Sequence, residues 1–326
     1  MRFKDILITG GAGFVGSHLS EKLLDQGCRV TIIDDLSTGR WSNIAHLEGR
    51  EDFRALVASA SDERIIETEV PKHDFVYHLA SAVGVRLIIE KPVNTVENIF
   101  RSTDVVFRYC ARYRRPVLVT STSEVYGKSS DFPFNEAADV VMGPTEKRRW
   151  AYACAKALDE FLALAHHYES ALPTYVVRLF NTVGPRQVSQ YGMVLPTFVK
   201  QALQSESLTV FGDGTQRRCF CSVHDIADGL VRLAQTSEGV GRVVNLGSQE
   251  EISIYGLAEK VIKLAGSQSE IRRIPYSEAY GAGFDDMPRR IPDLTRAKDL
   301  IGWNPRYSLE DIILATIKEF RDTGPE

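Results

Sequence analysis

The sequence predicts an α/β protein with a doubly wound parallel sheet and a second, smaller, loop-rich lobe. Three observations lead to this prediction. Short apolar runs alternate with amphipathic stretches through the first half of the chain, as strands and helices do when helices cover both faces of a parallel sheet. A glycine-rich segment directly follows the first apolar run. After residue 181 the alternation stops, and glycine and proline interrupt the chain repeatedly.

The strands and helices of the first half follow from the apolar pattern. Parallel strands end at one edge of their sheet, and ligands bind at that edge in folds of this type. The residues expected there are Asp34, Leu79, Ala80, Thr120, Ser121, Phe180 and Asn181. The predicted strands are 5–9, 28–33, 52–57, 74–79, 116–121 and 174–179, and the predicted helices lie near 14–26, 95–114 and 151–170.

Composition is that of an ordinary globular protein. The 326 residues are enough for one large or two modest domains. Hydrophobic residues make up 44% and charged residues 25%, and no apolar run is long enough to span a bilayer. The chain enters its first predicted strand almost at once, which leaves no room for a signal peptide. A cytoplasmic protein is therefore expected.

Cysteine usage and net charge argue against two further classes of protein. The five cysteines are odd in number and widely spread, so no disulfide framework is expected. Cys219 and Cys221 have no second pair at zinc-site spacing, and no metal site is predicted. The net charge of −4 does not indicate a nucleic-acid partner. Local basic clusters instead suit a small ligand with several negative charges, and they lie at 147–149, 217–218 and 289–290.

The glycine-rich segment has the pattern of a dinucleotide site. Glycines between a strand and a helix let the backbone turn sharply and approach a pyrophosphate at the positive end of the helix. Asp34 ends the next strand, where an acid can accept hydrogen bonds from the adenosine ribose. Its charge would repel a ribose phosphate, which favours NAD over NADP, although Arg40 could accommodate that phosphate. The order of elements predicts a Rossmann-like domain in which the cofactor contacts Gly10, Gly13, Phe14, Val15 and Gly16.

A tyrosine and a lysine one helical turn apart indicate acid–base chemistry. Tyr152 and Lys156 share one face of the predicted helix 151–170. Because the reference pKa of tyrosine is about 10, the phenol can act as a base near neutral pH only if its anion is stabilised, here by the lysine charge. A hydroxyl from 121–124 can hold a substrate alcohol, and a nicotinamide nearby would accept the hydride. An isolated pair of this kind usually lies on an ordinary helix surface, but the glycine-rich start favours the catalytic interpretation.

These motifs resemble the extended short-chain dehydrogenase/reductase family, and the resemblance extends essentially from end to end. The segments 179–186 and 212–220 are similar to those of the family's sugar-nucleotide enzymes. The resemblance implies a UDP-sugar substrate, with Asn181 and Arg218 at the nucleotide diphosphate. It also implies that the sugar hydroxyl and the hydride transfer are served by Thr122 or Ser123 together with Tyr152 and Lys156.

Within that family, three segments resemble the UDP-glucuronate decarboxylases, a group that includes UDP-xylose synthases, UDP-apiose/xylose synthases and the decarboxylase of aminoarabinose lipid modification. They are 121–127, 143–152 and 280–293. The similarity implies a decarboxylating site with Glu124, Arg149 and Arg290. The candidate catalytic residues are then Tyr152, Lys156, Ser123, Glu124, Thr122 and Arg290. The candidate substrate-binding residues are Arg86, Arg149, Asn181, Arg218, Tyr280 and Arg290.

The implied reaction begins by oxidising C4 of UDP-glucuronate. The resulting ketone makes the substrate a β-keto acid, so the electrons left by departing carbon dioxide form an enolate. The product is UDP-xylose or a UDP-4-keto-pentose. Three alternatives stay open. Segment 81–86 looks more like that of 4-epimerases, and Glu124 is shared with 4,6-dehydratases. A non-catalytic NAD-binding regulator is the third, although it would have no reason to keep Ser123, Tyr152 and Lys156 together.

The chain is expected to divide into two domains. Residues 1–183 and 219–264 are predicted to form the Rossmann-like NAD-binding domain. Residues 184–218 and 265–326 are predicted to form the smaller α/β lobe that holds the sugar nucleotide.

Two helices predict a homodimer. The helices near 95–114 and 151–170 are apolar well beyond a single stripe, so they pack against something besides their own sheet. A second copy of the chain is the expected partner, and burial under another part of the same chain is the alternative.

Overall fold

A computed structural model describes residues 2–81, 92–189, 192–276, 278 and 287–324. The strands are β1 (Asp5–Thr9), β2 (Arg29–Asp34), β3 (Phe53–Val57), β4 (Phe75–His78), β5 (Val117–Thr122), β6 (Thr174–Leu179), β7 (Thr182–Val183), β8 (Leu208–Phe211), β9 (Arg217–Cys219), β10 (Cys221–Ser222), β11 (Arg242–Leu246), β12 (Glu251–Ser253), β13 (Ile271–Ile274) and β14 (Arg289–Arg290). The helices are α1 (Phe14–Asp25), α2 (Glu63–Glu69), α3 (Pro92–Tyr113), α4 (Arg149–Ser170), α5 (Val194–Leu203), α6 (Val223–Gln235), α7 (Ile254–Ala265), α8 (Thr295–Ile301) and α9 (Leu309–Thr323).

The central sheet has seven parallel strands in the order β11-β6-β5-β4-β1-β2-β3. The order starts at β1 and extends outward in both directions, so the winding reverses between β1 and β4. This arrangement confirms the predicted doubly wound fold, and a ligand crevice is expected at the reversal.

Alternating side chains explain why helices cover both faces of this sheet. Ile6 and Ile8 on β1 point into one apolar cluster, while Leu7 between them points into another. The first cluster is completed by α1, α6 and α8, and the second by α2, α3 and α4. Within the described ranges, no helix has the length and hydropathy needed to cross a bilayer.

A further apolar cluster lies away from the sheet. Two segments of the chain pack differently from what the predicted domain boundaries imply. Helix α7, assigned from the sequence to the first domain, packs instead with α5 and α9. Residues 294–303, assigned to the smaller lobe, belong to the cluster under the sheet, where Trp303 is buried and donates to the carbonyl of Gly247 at 2.9 Å. An apolar stripe shows that a helix face is buried but not what covers it. The division into two domains otherwise stays a prediction.

A buried ion pair holds α4 on the sheet. Arg178 of β6 donates from Nη2 and Nε to the carboxylate of Glu160 at 2.7 and 3.0 Å. Ser121, at the end of β5, donates to the same carboxylate. The guanidinium also lies 4.6 Å from the centre of the Tyr126 ring. Because a bidentate pair has one geometry, it sets the position of α4 over the ends of β5 and β6.

Candidate active site

A cleft opens at the carboxyl edge of the sheet, at the point where the winding reverses. The structure brings together there most of the residues that the sequence singles out. They are Gly10, Gly13, Phe14, Val15, Gly16, Asp34, Leu79, Ala80, Thr122, Ser123, Tyr152, Lys156, Asn181 and Arg290. Glu124, Arg149 and Arg218 lie outside the lining. Arg86 and Tyr280 lie outside the described residues.

The glycines at the floor of the cleft occupy positions that exclude a side chain. Gly10 has a φ of +75°, and a Cβ there would lie 2.8 Å from the backbone nitrogen of Ala80. A Cβ on Gly16 would lie 2.1 Å from the carbonyl oxygen of Gly10. Gly13 begins α1 without a side-chain cap, and the first turn carries no acidic residue. Backbone N–H groups therefore face the cleft at a positive helix end, which suits a pyrophosphate.

Asp34 lies where the ribose of a dinucleotide is expected. Its carboxylate accepts hydrogen bonds from the backbone nitrogens of Ala12 and Leu36, both at 2.9 Å. Burial raises the pKa of Asp34, and these backbone hydrogen bonds oppose that rise. Gly39 allows the chain to pass close by, since a Cβ there would lie 2.7 Å from Asp34 Oδ1. The glycine cradle and this carboxylate together fit an NAD cofactor. Arg40 also lines the cleft.

The predicted base, Tyr152, is buried on the first turn of α4. Burial raises the pKa of Tyr152, and the negative charges of Glu124 and Asp159 raise it further. A hydrogen bond with the side chain of Thr122 acts in the opposite direction. Ser123 follows Thr122 in a short 3-10 helix, Ser123–Tyr126, and is almost fully buried. The end of β5 thus places the hydroxyl of Thr122 beside the phenol, and Ser123 lines the same cleft.

Lys156 has a buried partner that the sequence analysis missed. Its Nζ donates to Asp159 Oδ2 at 2.7 Å, and the exposed fractions of the two side chains are 3% and 1%. Lys156 lies on the same face of the helix as Tyr152, as expected. The positive charge of Lys156, however, is partly offset by the carboxylate of Asp159. The spacing of three residues between Lys156 and Asp159 is the signal that could have revealed the pair.

Glu124, Arg149 and Arg290 come together from three distant segments. Glu124 Oε1 lies 3.5 Å from Arg149 Nη2 and 3.4 Å from Arg290 Nη1. The three side chains are mostly buried, with exposed fractions of 11%, 5% and 14%. Arg290 lines the cleft, while Arg149 and Glu124 lie behind it. Arg290 thus brings a positively charged side chain to the cleft.

Asn181 and Arg218, the predicted contacts of the nucleotide diphosphate, are both held by backbone groups. The amide of Asn181 donates to the carbonyl of Cys219 at 2.8 Å. Arg218 Nη1 donates to the carbonyl of Arg217 at 2.8 Å. In the strand pair β9–β14, Arg218 lies directly beside Arg290. Another arginine, Arg186, also lines the cleft and pairs with Glu21 at 2.6 Å. The sequence analysis did not single out this residue.

Comparisons with known proteins place the chain among sugar-nucleotide enzymes. Residues 6–247 match the model of the NAD dependent epimerase/dehydratase family. The UDP-N-acetyl-alpha-D-glucosaminuronate decarboxylase of Bacillus cytotoxicus is 38% identical over 98% of this chain and 98% of its own length. UDP-glucuronic acid decarboxylase 1 of Danio rerio is 37% identical over 97% of this chain and 72% of its own length.

A solved structure is similar over the whole chain. The UDP-glucuronic acid 4-epimerase of Bacillus cereus, in complex with UDP-glucuronic acid and NAD, superimposes with a TM-score of 0.88 at 28% identity. The match covers 98% of this chain and 99% of that one. The overall architecture is therefore shared by enzymes that differ in what they do after binding a UDP-hexuronate.

The position of Asp34 predicts the choice between two nucleotides. We expect NAD to bind about tenfold more tightly than NADP, or more, which corresponds to about 1.4 kcal/mol, because a ribose phosphate would meet a buried carboxylate. Titration of the apoprotein with each nucleotide measures the ratio. Asp34→Ser should reduce the preference for NAD over NADP. Asp52→Ser, at the opposite edge of the sheet, should leave this preference unchanged. Equal or tighter binding of NADP to the wild-type protein would contradict the assignment.

Proposed function

Since the chain belongs to the NAD dependent epimerase/dehydratase family, we propose that it decarboxylates UDP-glucuronate with NAD as its cofactor. The observation that carries the proposal is the cluster of Glu124, Arg149 and Arg290 at the end of a cleft that also holds Tyr152. Oxidation of a sugar alcohol alone needs a base and a hydride acceptor. A positive group beside them suits a substrate that carries a carboxylate on the same ring.

The chemistry requires oxidation before carbon dioxide is lost. When bound, NAD supplies the hydride acceptor that turns the C4 alcohol into a ketone. Tyr152 takes the proton of that alcohol, and the neighbouring hydroxyls of Thr122 and Ser123 orient its oxygen. The substrate is then a β-keto acid, and carbon dioxide leaves with formation of an enolate. Hydroxyl donors beside the same oxygen stabilise the negative charge that develops there.

Arg290 has to orient the substrate carboxylate without binding it too strongly. An arginine fork fits a carboxylate well. A very tight pair would stabilise the charged substrate more than the transition state in which that charge moves onto the ring. In this structure Glu124 lies 3.4 Å from Arg290 and competes for its charge. Glu124 therefore weakens the interaction between Arg290 and the substrate carboxylate.

The relatives support a decarboxylase and define what must be compared. Two of them carry names of decarboxylases that act on UDP-hexuronates, one with and one without an N-acetyl group. Their similarity to this chain supports UDP-glucuronate and makes the N-acetylated analogue the matched competitor. The second candidate function is 4-epimerisation of a UDP-hexuronate, which the structural similarity to the Bacillus cereus epimerase favours.

Carbon dioxide release distinguishes the two functions. Incubation with NAD and UDP-glucuronate labelled at C6 should release the label as carbon dioxide and leave UDP-xylose or a UDP-4-keto-pentose. UDP-N-acetylglucosaminuronate, tested in parallel, reports the preferred substrate. Label retained wholly in UDP-galacturonate would refute the decarboxylase and establish the epimerase.

Tyr152→Phe should fold normally and lose about 10²–10⁴ in rate, because only the acid–base group is removed.

Arg290→Ala should separate oxidation from decarboxylation. In a single turnover we expect carbon dioxide release to fall by at least about tenfold more than NADH formation does, since the carboxylate loses its partner while Tyr152 remains. Stopped-flow absorbance and trapped carbon dioxide give the two rates. The matched control is Arg289→Ala, on the same strand, whose side chain pairs with Glu251 at 2.7 Å and points away from the cleft. If both steps fall equally, Arg290 does not act selectively on the carboxylate.

We also propose that two copies of the chain associate through α3 and α4. These helices pack on each other and present large exposed apolar side chains, which are Val93, Val96, Phe100, Leu158, Phe161 and Tyr168. An apolar surface shared by two neighbouring helices matches the core of a homodimer interface.

Phe161 is 68% exposed on this surface, so Phe161→Glu should shift the protein from dimer to monomer. Sedimentation velocity at several concentrations measures the change. Val57→Glu is the matched control, because Val57 is 63% exposed on β3, away from α3 and α4. A wild-type protein that sediments as a monomer would contradict the proposal.

A further inference from the structure

The ion pair between Lys156 and Asp159 lies inside the protein and not on its surface. The two groups meet at 2.7 Å and are almost wholly inaccessible to solvent. Charges removed from water in this way are costly unless each has a close partner. The location of the Lys156 ammonium is therefore tied to that of the Asp159 carboxylate.

A line of buried polar groups leads from Asp159 to the start of the cofactor cradle. The side chain of Thr103 on α3 faces Asp159 and lowers the pKa of its carboxyl, against the rise that burial causes. Thr103 Oγ1 lies 3.1 Å from His78 Nε2, and His78 Nδ1 lies 2.7 Å from Thr9 Oγ1. All four side chains are buried, and Thr9 directly precedes Gly10. Buried polar side chains of α3 and β4 thus lie between the helix that carries Lys156 and the end of β1.

The protonation state of His78 determines which of these groups donate hydrogen bonds and which accept them. Burial lowers the pKa of His78 to about 3, so its imidazole is neutral and has one donor and one acceptor. With the proton on Nε2, the ring donates to Thr103 and accepts from the hydroxyl of Thr9. The hydroxyl of Thr103 then donates its proton to the carbonyl of Ile99, which lies 3.0 Å away.

We propose that Asp159 is a positioning residue for proton transfer at Tyr152: it holds the ammonium of Lys156, offsets its charge and so sets the pH range in which Tyr152 acts as a base. The inference rests on the proposed function in taking Tyr152 as the base. Two observations on the geometry support it. Asp159 Oδ2 accepts from Lys156 Nζ at 2.7 Å, and both side chains are almost wholly inaccessible to solvent.

Other charged groups near this site are balanced by partners of their own. Among the described residues, those that face Tyr152, Lys156 or Asp159 from the packed elements are Glu124 with Arg149 and Arg290, neutral His78, and Glu160 with Arg178. Two acids act on the phenol of Tyr152, namely Glu124 and Asp159. Glu124 has two arginines around it, whereas Asp159 has the same lysine that the phenol requires. Loss of the Asp159 charge therefore leaves the Lys156 ammonium to the phenol.

Asp159→Asn tests the proposal without substrate. In the NAD-loaded protein, the tyrosinate absorbance of Tyr152 is obtained by subtracting the spectrum of the same protein with Tyr152→Phe. At a fixed alkaline pH below the midpoint of the titration, Asp159→Asn should increase that absorbance about tenfold, equivalent to a shift of about one pH unit. The rising limb of kcat against pH should move to lower pH by the same amount. Glu169→Gln, which removes an exposed carboxylate from the same helix, should change neither.

The Lys156 partner provides a second comparison that holds even if Asp159→Asn alone fails to fold. Lys156→Met should decrease the tyrosinate absorbance, because Asp159 then faces the phenol without its lysine. The double variant Asp159→Asn/Lys156→Met should restore it toward the wild-type value, and removal of a buried pair as a unit is usually tolerated. Equal absorbance in Lys156→Met and the double variant would overturn the proposal.

A purely structural Asp159 would give a different result. It would lower stability, or kcat equally at every pH, and leave the titration of Tyr152 unmoved, which overturns the proposal as well. The test is also separate from that of the proposed function. A protein that retains C6 of UDP-glucuronate is not a decarboxylase, yet its Tyr152 titration still reports whether Asp159 controls the phenol.

Discussion

Helix α4 has to lie at one height and one rotation over the ends of β5 and β6, and the buried pair of Arg178 and Glu160 imposes both. Three site residues depend on this placement, since Arg149, Tyr152 and Lys156 all lie on the first two turns of the same helix. Removing one partner of a buried pair leaves an uncompensated charge, which typically costs about 3–5 kcal/mol. The stability of the fold and the geometry of the site therefore rest on the same interaction.

Two adjacent acids on α4 serve opposite sides of the helix. Successive helical residues differ in direction by about 100°, so Asp159 and Glu160 cannot share a partner. Glu160 faces the sheet and takes Arg178 and Ser121. Asp159 faces Thr103 on α3 and pairs with Lys156 of its own helix. Glu160 thus holds α4 on the sheet, while Asp159 fixes the ammonium of Lys156 on the face of Tyr152.

The sequence predicts those features that local sterics or periodicity determine. The glycine cradle was predictable because Gly10 and Gly16 leave no room for a Cβ, and the strands because apolar runs define them within one or two residues. The partner of α7 was not predictable, since an apolar stripe does not identify what covers it. Glu124, Arg149 and Arg290 are far apart in the chain, and only a family resemblance linked them. The spacing of Lys156 and Asp159 indicates that the two side chains can pair on one helix face, but it does not reveal that the pair is buried.

Charge is distributed unequally along the cleft. Arg290 lines the cleft beside Glu124, so a substrate carboxylate can meet a guanidinium there. Around Lys156 the charges differ, because Lys156 and Asp159 offset each other and neutral His78 adds no charge. A Coulomb interaction weakens with distance and with solvent access, so these buried charges also act on one another, and Glu124 raises the pKa of Tyr152 together with Asp159. The carboxylate can then be oriented by Arg290, while the proton at Tyr152 responds to Thr122, to Glu124 and to the balance between Lys156 and Asp159.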